Sequence, residues 1–135
     1  MRRSEQRRAA VFALYQHDLT GRPLEETLPR DAAPFTRVLA QAALARQAEL
    51  DELIAGHAEG WTLERIAPLE RSIMRVGLLE LLHPGDDPGE RPIPPEGAID
   101  EAVETAKAYC GAEAPGFVNG ILAAVLREHR EEPVP

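Results

Sequence analysis

Four arginines open the chain within "MRRSEQRR", at Arg2, Arg3, Arg7 and Arg8, against the single acid Glu5. Near the other end, "GAEAPGFVNGILAAVLREH" sets Phe117 between a Pro-Gly and an Asn-Gly pair, one residue ahead of an apolar helical stripe starting at Val118. Guanidinium groups neutralise phosphates, and an unburied ring stacks on a base. Pro115 preorganises a first helical turn whose free N–H groups would form an anion site, and Asn119 adds an amide able to bond a base edge. Each feature has a second reading. The arginines also fit a solvated helix start, although cations suit that end of the helix dipole poorly. Phe117 also fits a hydrophobic staple, with Gly120 present for close helix contact.

The remaining reactive residue types carry no catalysis. Glu80 stands on the line of Leu69, Ile73 and Val76, where Leu would be expected. If buried, it must be satisfied from another segment, by a helix N-terminus or an Arg; otherwise it meets a partner. His17, His57, His83 and His129 stand apart, with no HxxxH or HExxH spacing, so no metal site is assigned. His57 continues an apolar stripe and reads as a packing or capping residue. Cys110 shares a face with Ile99 and Ala106 and reads as a small core residue. With no GxGxxG, Walker loop or GxSxG, neither a catalytic residue nor a cofactor is assigned.

The elements that hold these residues are helices. Arg8, Val11, Phe12, Tyr15 and Leu19 share one face, ended by Gly21 and Pro23. A short turn is expected around "PLEETL". A long helix follows from about Ala33 to Gly56, with Phe35, Val38, Leu39, Ala42, Leu50 and Leu53 along one side and Gly60 as terminator. Thr62 caps a brief "TLERI" helix without a capping-box Glu. Pro68 opens "LERSIMRVGLLELLH", apolar nearly all round, as the buried centre of a domain should be. "PGDDPGERPIPPEG" must be an exposed loop. Ile99, Ala102, Val103, Ala106 and Cys110 then share a face, and the last helix buries Val118, Ile121, Leu122 and Val125 before a frayed "EEPVP". The fold class is all-α.

Composition agrees. The 135 residues suffice for one domain. Hydrophobic residues make up 44% but aromatics only 4%, a diet of Leu, Ile, Val and Ala that favours helices. No apolar run approaches a membrane span, and no apolar signal core follows the basic start, so a cytoplasmic address is the default. One Cys excludes an internal disulfide and a thiolate zinc site. The net charge of −8 argues against nonspecific nucleic-acid binding by the body, and leaves a locally basic arm on an acidic protein.

"RRAAVFALYQHD", "WTLERIAPLERSIMRVGLLELL", "AIDEAVETAKAY" and "GFVNGILAAVLRE", in this order, resemble the transcription antitermination factor NusB family over essentially the whole chain. The resemblance implies a compact bundle of about seven helices in two small subdomains, here about 1–60 and about 61–131 of a single RNA-binding domain. It implies a noncatalytic protein that pairs with NusE, a small-subunit ribosomal protein, and binds boxA-type single-stranded leader RNA in the RNA polymerase antitermination complex. Carried over, the RNA contacts are Arg2, Arg3, Arg7, Arg8, Lys107, Phe117 and Asn119. The NusE-facing positions are Glu70, Arg75, Glu80 and Glu101.

Several positions depart from the family pattern. Glu5 and Gln6 dilute the arginine cluster, Gly116 replaces a common Lys, Ala114 a common Ser and Asp100 a usual Asn. "TGRPLEETLPRDAAP" is a short link. Weaker RNA affinity, more dependent on NusE, is the expectation. Two rival readings remain. One is a protein-interaction adaptor or self-masking homodimer without RNA contact. The other is kinship with ribosomal RNA cytosine methyltransferases that carry this domain at their front, but 135 residues leave no room for a catalytic sheet domain.

Overall fold

A computed structural model describes residues 2–131, and among these it contains seven α-helices and no strand. They are α1 (Arg3–Thr20), α2 (Leu24–Thr27), α3 (Pro34–Ala45), α4 (Gln47–His57), α5 (Pro68–Leu82), α6 (Pro95–Tyr109) and α7 (Ala114–Glu131). Short 3₁₀ turns at Leu63–Arg65 and Pro84–Asp86 flank α5. Residues 132–135, most of the expected frayed tail, lie outside the described residues.

Local chemistry sets the boundaries. Prolines 34, 68 and 95 open α3, α5 and α6, where a missing N–H costs nothing and a fixed φ is already helical. Gly21 closes α1 at φ 71, a left-handed conformation that a side chain would disfavour, and its N–H bonds the carbonyl of His17. Thr62 makes no side-chain cap bond to the turn it precedes. The long helix expected from Ala33 to Gly56 is two. Arg46, at φ −105 and ψ 13, leaves helical geometry and is held by Asp86 at 2.7 Å and Glu49 at 3.3 Å.

Helix α5 is the axis of the molecule. Every residue from Ser72 to Leu81 is buried, and the helix packs against α1, α3, α4, α6 and α7. Gly77 allows this: a Cβ there would stand 3.1 Å from Leu122 Cδ1 and 3.5 Å from the Cβ of Ala102. Leu14, Leu39, Leu50, Ile54, Leu78 and Leu122 fill the centre, an aliphatic core as the composition requires. Burying one such side chain contributes about 1.5–3 kcal/mol.

The buried stripe of α1 is displaced from the expected one. Arg7, Ala10, Val11, Ala13 and Leu14 face inward, whereas Arg8, Phe12 and Tyr15 are half-exposed and Leu19 is exposed. Alanines at 10 and 13 let α1 approach closely, which the larger Phe12 and Tyr15 would prevent. This displacement decides which arginine meets solvent.

Candidate nucleic-acid interface

The arginine arm divides by face. Arg2 precedes α1 and is almost wholly exposed, 3.6 Å from Glu5. Arg3 is exposed, donates to Gln6 Oε1 at 3.1 Å and lies 4.1 Å above the Phe35 ring. Arg8 is half-buried and stands 5.7 Å from the ring of Tyr109, itself half-exposed at the end of α6. Arg3 and Arg8 therefore present their cations beside aromatic faces.

Arg7 does not join them, contrary to its expected RNA contact. Its Nε and Nη2 donate to Glu80 Oε1 at 2.6 Å and Oε2 at 2.9 Å, and Nη1 lies 3.8 Å from Glu101. Glu80 is only 2% exposed, so its expected docking contact is corrected too: it is the buried carboxylate satisfied by an Arg of another segment. Burial raises the Glu80 carboxyl most, Arg7 pulls it down and Asp87 pushes it up, leaving it at about 7. Arg75, expected at the NusE face, is 3% exposed. It forks onto Asp51 at 2.7 and 3.0 Å and reaches Asp18 at 3.3 Å, tying α5 to α4 and α1. On a helix covered from all sides even charged residues point into protein, and only paired ones are tolerable there.

Of the other two positions expected to face NusE, Glu101 is half-buried and accepts from Ser4 Oγ at 2.8 Å. Glu70 is half-exposed and lines a groove beside Trp61 and Phe117. Lys107 is exposed, 3.2 Å from Glu104.

At the other end of the site, α7 starts at Ala114, four residues before its apolar stripe. Phe117 therefore lies inside the helix, not ahead of it. The Ala114 N–H bonds Gly111 O, the Phe117 N–H bonds Glu113 O, and Pro115 has no N–H. Of the first-turn N–H groups, those of Ala114 and Phe117 are therefore spent and Pro115 has none, which leaves fewer free donors than the expected anion site assumes. Asn119 and Gly120 are exposed, and a Cβ on Gly120 would meet nothing within 4 Å, so no close helix contact explains that glycine.

Phe117 is half-buried against the core, and its ring meets Trp61 at 6.3 Å between centroids with the planes at 64°. Trp61 is 52% exposed. It follows the left-handed Gly60, in a segment whose apolar pattern does not mark it. Trp61 and Tyr109 were not among the residues expected at the site. Their signal was rarity: in a chain with one Trp and two Tyr, each large ring left outside the apolar stripes stands out.

The arginine arm and Phe117 line two separate grooves. One, of about 450 Å³, is lined by Arg2 and Arg8 together with Glu5, Asp100, Glu101 and Glu104. The other, of about 460 Å³, is lined by Trp61, Arg65, Ile66, Ala67, Glu70, Glu113, Ala114 and Phe117. Arg8 lies over Tyr109, and the adjoining Cys110 thiol is pushed up by burial and then by the nearby Glu70. Among the described residues, no group of three or more His, Cys, Asp or Glu is placed to hold a metal.

Comparison with known proteins gives one family. The model described as the NusB family matches residues 4–127. A transcription antitermination protein NusB of Saccharopolyspora erythraea is 40% identical over 131 residues, covering 91% of this chain and 85% of that protein. One from Halalkalibacterium halodurans is 35% identical over 136 residues, covering 96% and 97%. Among solved structures, T. maritima NusB is similar with a TM-score of 0.81 and 31% identity, over 95% of this chain and 92% of that one. A chain from the complex of antitermination factors NusB and NusE with double-stranded RNA has a TM-score of 0.76 at 26% identity, over 95% and 99%.

Proposed function

This chain belongs to the NusB family, and from that premise we propose that it is a noncatalytic transcription antitermination factor that binds boxA-type leader RNA together with NusE. In this role it joins the RNA polymerase antitermination complex, in the cytoplasm, and supports ribosomal RNA transcription. The observation that carries the reading is the likeness, over nearly the whole of both chains, to the structure solved with NusE and RNA.

The residues that suit the role are those the fold leaves at the surface. Arg2, Arg3, Arg8 and Lys107 would neutralise phosphates, Phe117 would stack on a base and Asn119 would bond a base edge. Glu70 is the solvent-facing acid of α5 best placed for the basic ribosomal partner, with Glu101 at the rim of the first groove. Arg7, Arg75 and Glu80 serve the fold instead.

The acidic body fits an adaptor. Arg2, Arg3 and Lys107 each already have an internal polar or acidic neighbour, in Glu5, Gln6 and Glu104. Affinity for RNA alone should therefore be modest, and a basic partner should raise it. A gel shift with boxA RNA tests this. The complex should tighten when a NusE-type ribosomal protein is added, and weaken in Phe117→Ala. RNA binding unaffected by Phe117→Ala and by removal of all four surface cations would refute the assignment of the face.

A further inference from the structure

We infer that Phe35 is a positioning residue for the arginine arm: its buried ring is a fixed platform that holds the Arg3 guanidinium in the pose that meets an RNA phosphate. This rests on the proposed RNA-binding function and extends it to a residue beneath the arm that does not itself touch RNA.

The platform is fixed from several sides. Phe35 is 5% exposed and follows Pro34, the first residue of α3. The next residue, Thr36, donates from Oγ1 to the carbonyl of Gln6 at 2.8 Å, which sets α3 against the stretch of α1 between Arg3 and Arg7. Gly89, in the loop between α5 and α6, lies at the ring edge, where a Cβ would stand 3.7 Å from Phe35 Cε2. Arg3 and Arg7 are one helical turn apart on α1 and share a face. Their guanidinium carbons stand 4.1 and 5.4 Å from the Phe35 ring centroid. Two cations over one ring would repel, but Arg7 is neutralised by its fork onto Glu80 and by Glu101. The negative π face is thereby left to attract Arg3.

The pose matters because arginine is long. A free arginine loses much rotamer freedom on meeting a phosphate, and one already held loses less. A cation held by a ring face also spends no hydrogen-bond donor on its support, unlike one held by a carboxylate. Arg3 is exposed and directs Nη1 at Gln6 Oε1, 3.1 Å away. Arg2 is the contrast. Its cation faces the Glu5 carboxylate at 3.6 Å, which competes with an incoming phosphate.

The experiment is a double-mutant cycle on the full-length protein, read by the anisotropy of a labelled single-stranded boxA-type RNA with a NusE-type ribosomal protein present. Arg3→Ala and Arg2→Ala are each measured in the wild type and in Phe35→Leu, which keeps an apolar side chain and removes the ring. Positioning predicts that Arg3→Ala costs about 2- to 5-fold less affinity in the Phe35→Leu background, the size of a surface cation–π contact. Arg2→Ala should cost the same in both. Pentafluorophenylalanine at position 35 keeps the shape of the ring and reverses its quadrupole, so it should give the same result even if Phe35→Leu fails to fold. Independently of RNA, the Arg3 side-chain protons should show an upfield ring-current shift in NMR spectra of the free protein. An Arg3→Ala cost that is the same with either replacement of the ring as in the wild type would overturn the positioning role and leave the RNA reading intact. Arg3 protons without the ring-current shift would overturn it as well. A wild type that shows the shift but binds no RNA would overturn the RNA reading, and the proposal with it.

Discussion

Arg7 and Arg8 are neighbours in sequence and serve opposite sides of the protein. The need of Glu80 for an ionic partner from another segment was legible from its place on an apolar line. Which arginine answers it was not, because that turns on a one-position displacement of the α1 stripe. Large residues at 12 and 15 mark one face, but the fold uses Ala10 and Ala13 for close approach, and Arg7 goes in with them. Arg7→Ala should lower the unfolding free energy by about 3–5 kcal/mol, because it strands a buried carboxylate, and replacing both partners with apolar residues should cost less. Chemical denaturation measures both. The same pair predicts a pH dependence. The Glu80 carboxyl is raised from 4.5 to about 7, so the folded state holds its proton more tightly than the unfolded state. Its contribution is complete below about pH 4.5 and is lost as the pH rises through about 7. His57 acts in the same direction. Its Nδ1 bonds Leu53 O at 2.7 Å and its Nε2 faces Glu128 at 2.7 Å, which hold the imidazole above its usual 6.5. Its contribution is complete below pH 6.5 and is lost as the pH rises through the raised value. Urea midpoints should therefore fall between mildly acidic and alkaline pH, less steeply in Glu80→Gln and in His57→Gln.

Among the elements, α5 and α7 show what helical pattern reveals and what it hides. An apolar run around every side of "LERSIMRVGLLELLH" announced a central helix, and Ser72 to Leu81 are all buried. The buried stripe of α7 was equally plain. Its start was not, since Ala114, Pro115 and Gly116 carry no large side chain to extend the stripe backward. The break at Arg46 was hidden as well, because no Gly or Pro marks it in the sequence. Glycines on the two helices should respond oppositely. Gly120 faces open space, so Gly120→Ala should stabilise the protein by about 0.5–1 kcal/mol. Gly77 faces Leu122 and Ala102, and Gly77→Val should destabilise it by roughly 1–3 kcal/mol through overpacking. Thermal denaturation of the two variants distinguishes an idle glycine from one that sets helix spacing.

At the scale of the whole molecule, a chain of net charge −8 carries its candidate phosphate contacts at one end of α1 and on α6. If Arg2, Arg3, Arg8 and Lys107 are those contacts, log K against log salt for the protein alone should have a slope of about −3, since each phosphate neutralised on a single strand contributes about 0.7. A much steeper slope would mean that further cations take part. Family, helical class and the exposed part of the arm were legible from sequence, because they rest on order, period and charge. The two-groove division was not: it depends on how far α6 and the Trp61 turn separate the arm from α7, which no local pattern encodes. The most direct measurement is the anisotropy of a labelled boxA-type RNA titrated with this protein, with and without a NusE-type ribosomal protein. The account predicts modest binding by the protein alone, tighter binding with the partner, and loss in both conditions when Arg2, Arg3 and Arg8 are changed to Ala. RNA that stays free with and without the partner, from protein shown to be folded, would contradict it.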